Sequence, residues 1–211
     1  MSNRVFTYFE PLFEETKAQE ADLVIEWKRN WKAAGWSPNI LCHQDAAANP
    51  LYSKFSKAVY ALPTTNNKDY EMACWHRWLA YQMFAAICGP SLFIDYDVAA
   101  TVRFQPPANP SWLALGYDPG CFADSKMLGE VVELMMTRGH QGSIEIDGRP
   151  HISDMTLLNK LGHEIAPNLA ICSLYPATNQ LVHVSNGSVI SHGAGRSRLS
   201  IFKEVAAQLK P

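Results

Sequence analysis

The chain has 211 residues, 47% of them hydrophobic and 18% charged, which is enough apolar material for a packed core and too much for a disordered or fibrous chain. Its formal net charge of -2 lacks the positive excess of a non-specific nucleic-acid binder, although a local basic patch is compatible with that balance. Five widely spaced cysteines, Cys42, Cys74, Cys88, Cys121 and Cys172, form no C-x-x-C pair, which argues against a disulfide framework or zinc site and for reduced thiols in a cytoplasmic protein.

The first residues lack the apolar h-region of a signal peptide. The most apolar stretch, Trp78 to Ile94, is cut by Gly89-Pro90 and is too broken to span a membrane. In chain order, Val5 to Phe9 is β-branched and aromatic and reads as a first strand. From about Ala21 to Ala34, Leu23, Trp27, Trp31 and Ala34 recur at helical spacing, with charged residues on the other faces and Gly35 as the stop. Pro38 to Cys42 is a second strand, and a strand-helix-strand opening with short connections predicts parallel pairing in an α/β sheet.

Gln44 to Ala48 reads as a turn and Pro50 to Leu62 as a helix. Asp69 is a candidate cap for a long helix whose buried stripe would be Met72, Trp75 or His76, Leu79, Met83 and Ile87. After Gly89-Pro90 comes a strand from Leu92 that ends on Asp95-Tyr96-Asp97. Thr101 to Phe104 and Trp112 to Leu115 are further strands, and Ser125 to Arg138 is a helix with Leu128, Val131, Val132, Met135 and Met136 inward. Ile144 to Ile146 precedes an Asp147-Gly148 turn, and Ser153 can cap a helix over Asp154 to Leu161. Leu169 to Leu174 and Leu181 to Val184 read as late strands, Ser191 to Ser197 as a basic loop and Leu199 to Leu209 as a terminal helix.

The chemistry centres on Asp95 and Asp97. Acids at i and i+2 on an extended segment lie on one side of it, and hard carboxylate oxygens suit Mn²⁺ or Mg²⁺, ions that also bind substrate phosphates. An exposed acidic turn is the plain alternative. An α/β sheet binds ligands outside the carboxyl ends of its strands, so Thr7, Tyr8 and Phe9 would border the same site, although Tyr8 also suits core packing. Arg77, among Trp75, His76 and Trp78, wants an anionic partner, either a phosphate or a structural acid such as Glu71. His183 is a candidate third metal ligand or a satisfied strand histidine, with His192 the competing choice. Arg196 and Arg198 could fold over phosphates. Asp154, in a first helical turn, is favoured by the helix dipole alone but could also serve as a base.

Tyr70 to Ala80, Phe93 to Val98 and Trp31 to Pro38 together resemble the GT-A glycosyltransferases, and in particular small bacterial and phage proteins related to those with a "DXD sugar-binding" region. The resemblance covers roughly residues 4 to 104 and implies a single GT-A-like, Rossmann-like domain with a mostly parallel central sheet flanked by helices. Residues to about 104 would form the nucleotide-sugar and metal half, and 105–211 an acceptor half. It further implies that Asp95 and Asp97, completed by His183, hold Mn²⁺ or Mg²⁺ against the diphosphate of a nucleotide-sugar, with a UDP-sugar favoured. Arg77 would contact that donor, and an acceptor hydroxyl would be glycosylated. Cys74 stands where relatives often have an acid, Gly89-Pro90 where they have Gly-Gly, and Met155 where some have glutamine after the acid matched by Asp154. Two other readings are a binding module without turnover and a haloacid-dehalogenase-like phosphatase; Ala99 departs from the phosphatase pattern.

Overall fold

A computed structural model describes residues 3–100, 103, 105–106, 108–115, 118–165, 181–183 and 198–209. The strand Arg4–Tyr8 (β1), the helix Lys17–Ala33 (α1) and the strand Ser37–Leu41 (β2) form the expected opening unit, and β1 and β2 are parallel, with Tyr8 opposite Leu41. Gly35 makes the reversal out of α1 at φ +90°, a backbone region that side chains disfavour. Residues 43–47 are not an open turn: His43–Ala47 (α2) is one helical turn, closed by Asp45 accepting from the Cys42 N–H at 2.8 Å. Tyr52–Tyr60 (α3) follows, then the long helix Lys68–Cys88 (α4). Asn67, not Asp69, caps α4, its side chain accepting from the N–H groups of Asp69 and Tyr70.

The strand Ser91–Phe93 (β3) pairs with β1 in parallel and sits at the centre of the main sheet. A strand that sequence reading missed, Asp118–Ala123 (β6), runs antiparallel to it, and Ser111–Leu115 (β5) pairs antiparallel with β6. The order β2-β1-β3-β6-β5 therefore makes a mixed sheet rather than a mostly parallel one. Val98–Ala100 (β4) forms a separate antiparallel ladder with Leu181–His183 (β9). This strand comes earlier than the one expected at Thr101 to Phe104, of which 101, 102 and 104 lie outside the described residues, as do 166–180 and 184–197.

Alternation along the strands splits the core in two. On one face Phe6, Tyr8, Leu41, Phe93 and Cys121 pack under α4 and the helix Ser125–Arg138 (α5), with the Phe6 and Phe93 rings stacked at 5.4 Å. On the other face Val5, Leu92, Ile94 and Phe122 pack against Leu23, Trp27 and Trp31 of α1 and Phe202 of the terminal helix Arg198–Gln208 (α7). Asn30 of α1 ties in β4, donating to the Ala100 carbonyl at 2.9 Å and accepting from its N–H at 2.8 Å.

α4 differs most from its expected form. Trp75 through Tyr81 are all buried, while Ile87 of the expected stripe is 72% exposed and Met72 and Met83 are half-buried. The helix packs on the sheet, on α2 and α3, and on α5, so its middle has no solvent face. α5 has the expected bounds, with Asp124 as its cap. The hairpin Ile144–Ile146 (β7) to Arg149–His151 (β8) turns at Asp147 (φ 50°) and Gly148 (φ 71°), both left-handed as a two-residue hairpin turn requires. Ser153 then starts Asp154–Ile165 (α6), its Oγ accepting from the Thr156 N–H at 3.2 Å.

Candidate functional site

At the carboxyl end of β3 the chain stays in the ladder through Ile94, whose N–H donates to the Phe6 carbonyl at 3.0 Å. It then turns: the Val98 N–H returns to the Asp95 carbonyl at 3.1 Å. Asp95-Tyr96-Asp97 is thus a tight turn and not an extended segment, so strand alternation does not set the relation of the two carboxylates. Asp97 is buried, and Tyr96 meets the Phe9 ring edge-on at 5.4 Å.

Arg77 reaches this turn from α4. Its Nη1 donates to Asp95 Oδ1 at 2.5 Å, while Nε and Nη2 donate to Asp154 Oδ2 at 3.0 and 2.6 Å. Trp78 Nε1 donates to the same Asp154 oxygen at 2.8 Å, and Asp154 Oδ1 accepts from the Met155 N–H at 2.8 Å. Three residues separated by 18 and 77 positions thereby form one cluster. Burial pulls the Arg77 guanidinium's pKa down, but Asp154 and then Asp95 outweigh it and hold the group charged, well above its usual range. The acids that Arg77 satisfies are these two, not Glu71.

Asp154 is 1% exposed with both oxygens engaged. Such a carboxylate, expected from sequence as a base, suits holding Arg77 in place. Thr7, expected to border the site, is fully buried on the sheet face opposite Phe6 and Tyr8, with its hydroxyl unpartnered among the described residues. Tyr8 lies on the α4 face and donates to Glu10 Oε2 at 2.8 Å, and Phe9 is half-buried beside Tyr96.

Surrounding groups complete the setting. Glu71 is 2% exposed and accepts from Thr64 Oγ1 at 3.1 Å and Asn66 Nδ2 at 2.8 Å. Burial raises its pKa, with neighbouring Asp154 adding to the rise. His151 Nδ1 accepts from the Thr65 N–H at 3.2 Å, which pins the loop before α4 to β8. Burial pushes the pKa of the Cys74 thiol up. Glu71 lies six residues before Arg77 on α4, a spacing at which two helical side chains do not face each other.

Among the described residues no group of three or more His, Cys, Asp or Glu side chains has a metal-holding arrangement. Asp95 and Asp97 bring to the turn carboxylate oxygens, the donor type that Mn²⁺ or Mg²⁺ take alongside water and phosphate. The backbone of His183 lies opposite Val98 in the β4–β9 ladder, one residue beyond Asp97. His192 and Arg196 lie outside the described residues, and Arg198 is the first residue of α7.

A family model described as a domain of unknown function (DUF8765) matches residues 2–88. That stretch runs from β1 through α4 and stops short of the Asp95 turn. No curated protein matches the chain, and no solved structure does.

Proposed function

We propose that this protein is a metal-dependent glycosyltransferase of GT-A type that moves a sugar from a nucleoside-diphosphate sugar, with a UDP-sugar favoured, to an acceptor hydroxyl. The observation that carries this reading is the Arg77 cluster: Arg77 and Asp95, both expected on the donor side, meet Asp154, expected as a base, at the carboxyl end of a central strand. That end of an α/β sheet is where ligands bind. Asp95 and Asp154 share the Arg77 guanidinium there and Asp97 is buried in the same turn, a carboxylate-rich strand end of the kind that favours a cation.

Asp95 and Asp97 would hold Mn²⁺ or Mg²⁺, whose chemistry when bound is to neutralise charge on the departing diphosphate. The chain's own residues do the rest. Arg77 fixes the Asp95 carboxylate through its Oδ1. Asp154 and Trp78 fix Arg77, so the arginine acts through Asp95 and not by its own contact with the donor. Phe9 and Tyr96 form an aromatic edge beside the turn.

The burial of Asp154 favours one second reading, a sugar-nucleotide-binding module without turnover, because it removes the expected base. Incubating the protein with Mn²⁺ and a panel of UDP- and GDP-sugars separates the two. Slow release of nucleoside diphosphate, lost in Asp97→Ala, is the transferase result; binding without release is the module result. Phosphate release from simple monoesters would overturn both.

A further inference from the structure

A second polar group sits at the carboxyl ends of β1 and β2 and has no part in the scheme above. Glu10 lies two residues beyond β1 and His43 opens α2, and the Phe9 N–H donated to the Leu41 carbonyl at 2.8 Å holds the two chain ends together. Tyr8 anchors Glu10 by its Oε2, and Glu10 Oε1 lies 3.7 Å from His43 Nδ1. On the other side of the ring, the Tyr52 hydroxyl is 3.3 Å from His43 Nε2. His76 of α4 closes the inner side, its ring 5.7 Å from that of His43 and 4.9 Å from that of Tyr52, with its Nε2 2.9 Å from Ser56 Oγ. Cys42 and Asp45 are the titratable neighbours on His43's own element.

The series runs carboxylate, imidazole, hydroxyl. A neutral imidazole has one donor nitrogen and one acceptor, and a carboxylate beside Nδ1 favours the tautomer whose bare nitrogen is Nε2. The same carboxylate stabilises the ring once it is protonated. The His43 side chain is 43% exposed and that of Glu10 25%, whereas His76 is buried, so of the two histidines His43 is the one a substrate can reach. β2, β1 and β3 are neighbours, which sets the ends of β2 and β3 two strand spacings, about 10 Å, apart.

We propose that His43 accepts the proton of the acceptor hydroxyl in the transfer reaction, with Glu10 as its positioning residue. This inference rests on the glycosyltransferase reading and fills the role that Asp154 is too buried to take. The acceptor O–H bond breaks and its proton goes to His43 Nε2. The acceptor oxygen bonds to the anomeric carbon, and the bond from that carbon to the diphosphate oxygen breaks, its electron pair leaving on the diphosphate.

The test uses the full chain and two readouts. With the UDP- or GDP-sugar that the wild type turns over, His43→Gln is expected to lower kcat by about 100-fold or more, with little change in the donor KM. Nitrogen-15 shifts of the imidazole, read without substrate, are expected to show the Nδ1-protonated tautomer in the wild type and a mixture in Glu10→Gln. Turnover unchanged by His43→Gln overturns this proposal alone. An Nε2-protonated ring indifferent to Glu10→Gln overturns the pairing. Absence of turnover by the wild type overturns the transferase reading and this step with it.

Discussion

Two polar clusters at the same end of the sheet are built on opposite physical terms. The Arg77 cluster is dry: Arg77 and Asp154 are buried, every Arg77 nitrogen donates to a carboxylate, and Asp154 takes four hydrogen bonds. The His43 cluster is wet on its outer side, with one loose carboxylate contact at 3.7 Å and one hydroxyl at 3.3 Å. A saturated buried cluster holds shape, because losing one partner strands the others in a medium that cannot solvate them. A half-exposed, weakly bonded ring can exchange its partners for a substrate. The first cluster should therefore answer to stability measurements and the second to activity.

The largest effect should come from the dry side. Arg77→Met leaves two carboxylates without their cation and is expected to cost about 3–5 kcal/mol in urea unfolding. Asp154→Asn in that background should recover part of the loss, and a double-mutant cycle with full additivity would break the contrast.

Next comes His76, the buried partner of the wet side. Burial, and then the neighbouring His43, lower its pKa from 6.5 to about 4. A depressed histidine pKa stabilises the fold in full above 6.5, and that contribution erodes as pH falls and is gone once pH passes below about 4. Allowing for partial solvent screening, wild type should lose about 2 kcal/mol more than His76→Gln over that interval, measured by urea melts at both ends. Equal losses in the two proteins would mean that the ring is solvated.

The smallest stability effect should be that of His43→Gln, within about 0.5 kcal/mol of wild type, because a half-exposed side chain with long contacts contributes little. A large loss would make His43 a structural residue and erase the difference between the clusters.

Local patterns carried much of the fold. The spacing of Leu23, Trp27 and Trp31 reported α1 because one face of that helix meets the sheet and the other meets water. The Asp147-Gly148 turn and the Ser125–Arg138 helix were legible for the same reason, since short-range chemistry decides them. The extent of α4 was legible too, but its buried face was not, because burial from several sides erases helical periodicity. β6 begins Asp-Pro-Gly, which reads as a turn, and it becomes a strand by pairing between β3 and β5. Within the site, the residue types of Asp95, Arg77 and Asp154 drew notice singly. That Arg77 joins the other two is a contact across 77 positions that no local pattern encodes. Glu10 and His43 were missed because each is ordinary until β1 and β2 set them together.

The account stands on a cation held by the Asp95–Asp97 turn together with a donor diphosphate. Electron paramagnetic resonance of Mn²⁺ titrated with the full chain and UDP tests it most directly. The expected result is a bound-Mn²⁺ signal that requires UDP and is lost in Asp97→Ala, while the variant keeps its fold. An Mn²⁺ spectrum identical with and without protein, or a bound signal that survives Asp97→Ala, would contradict it.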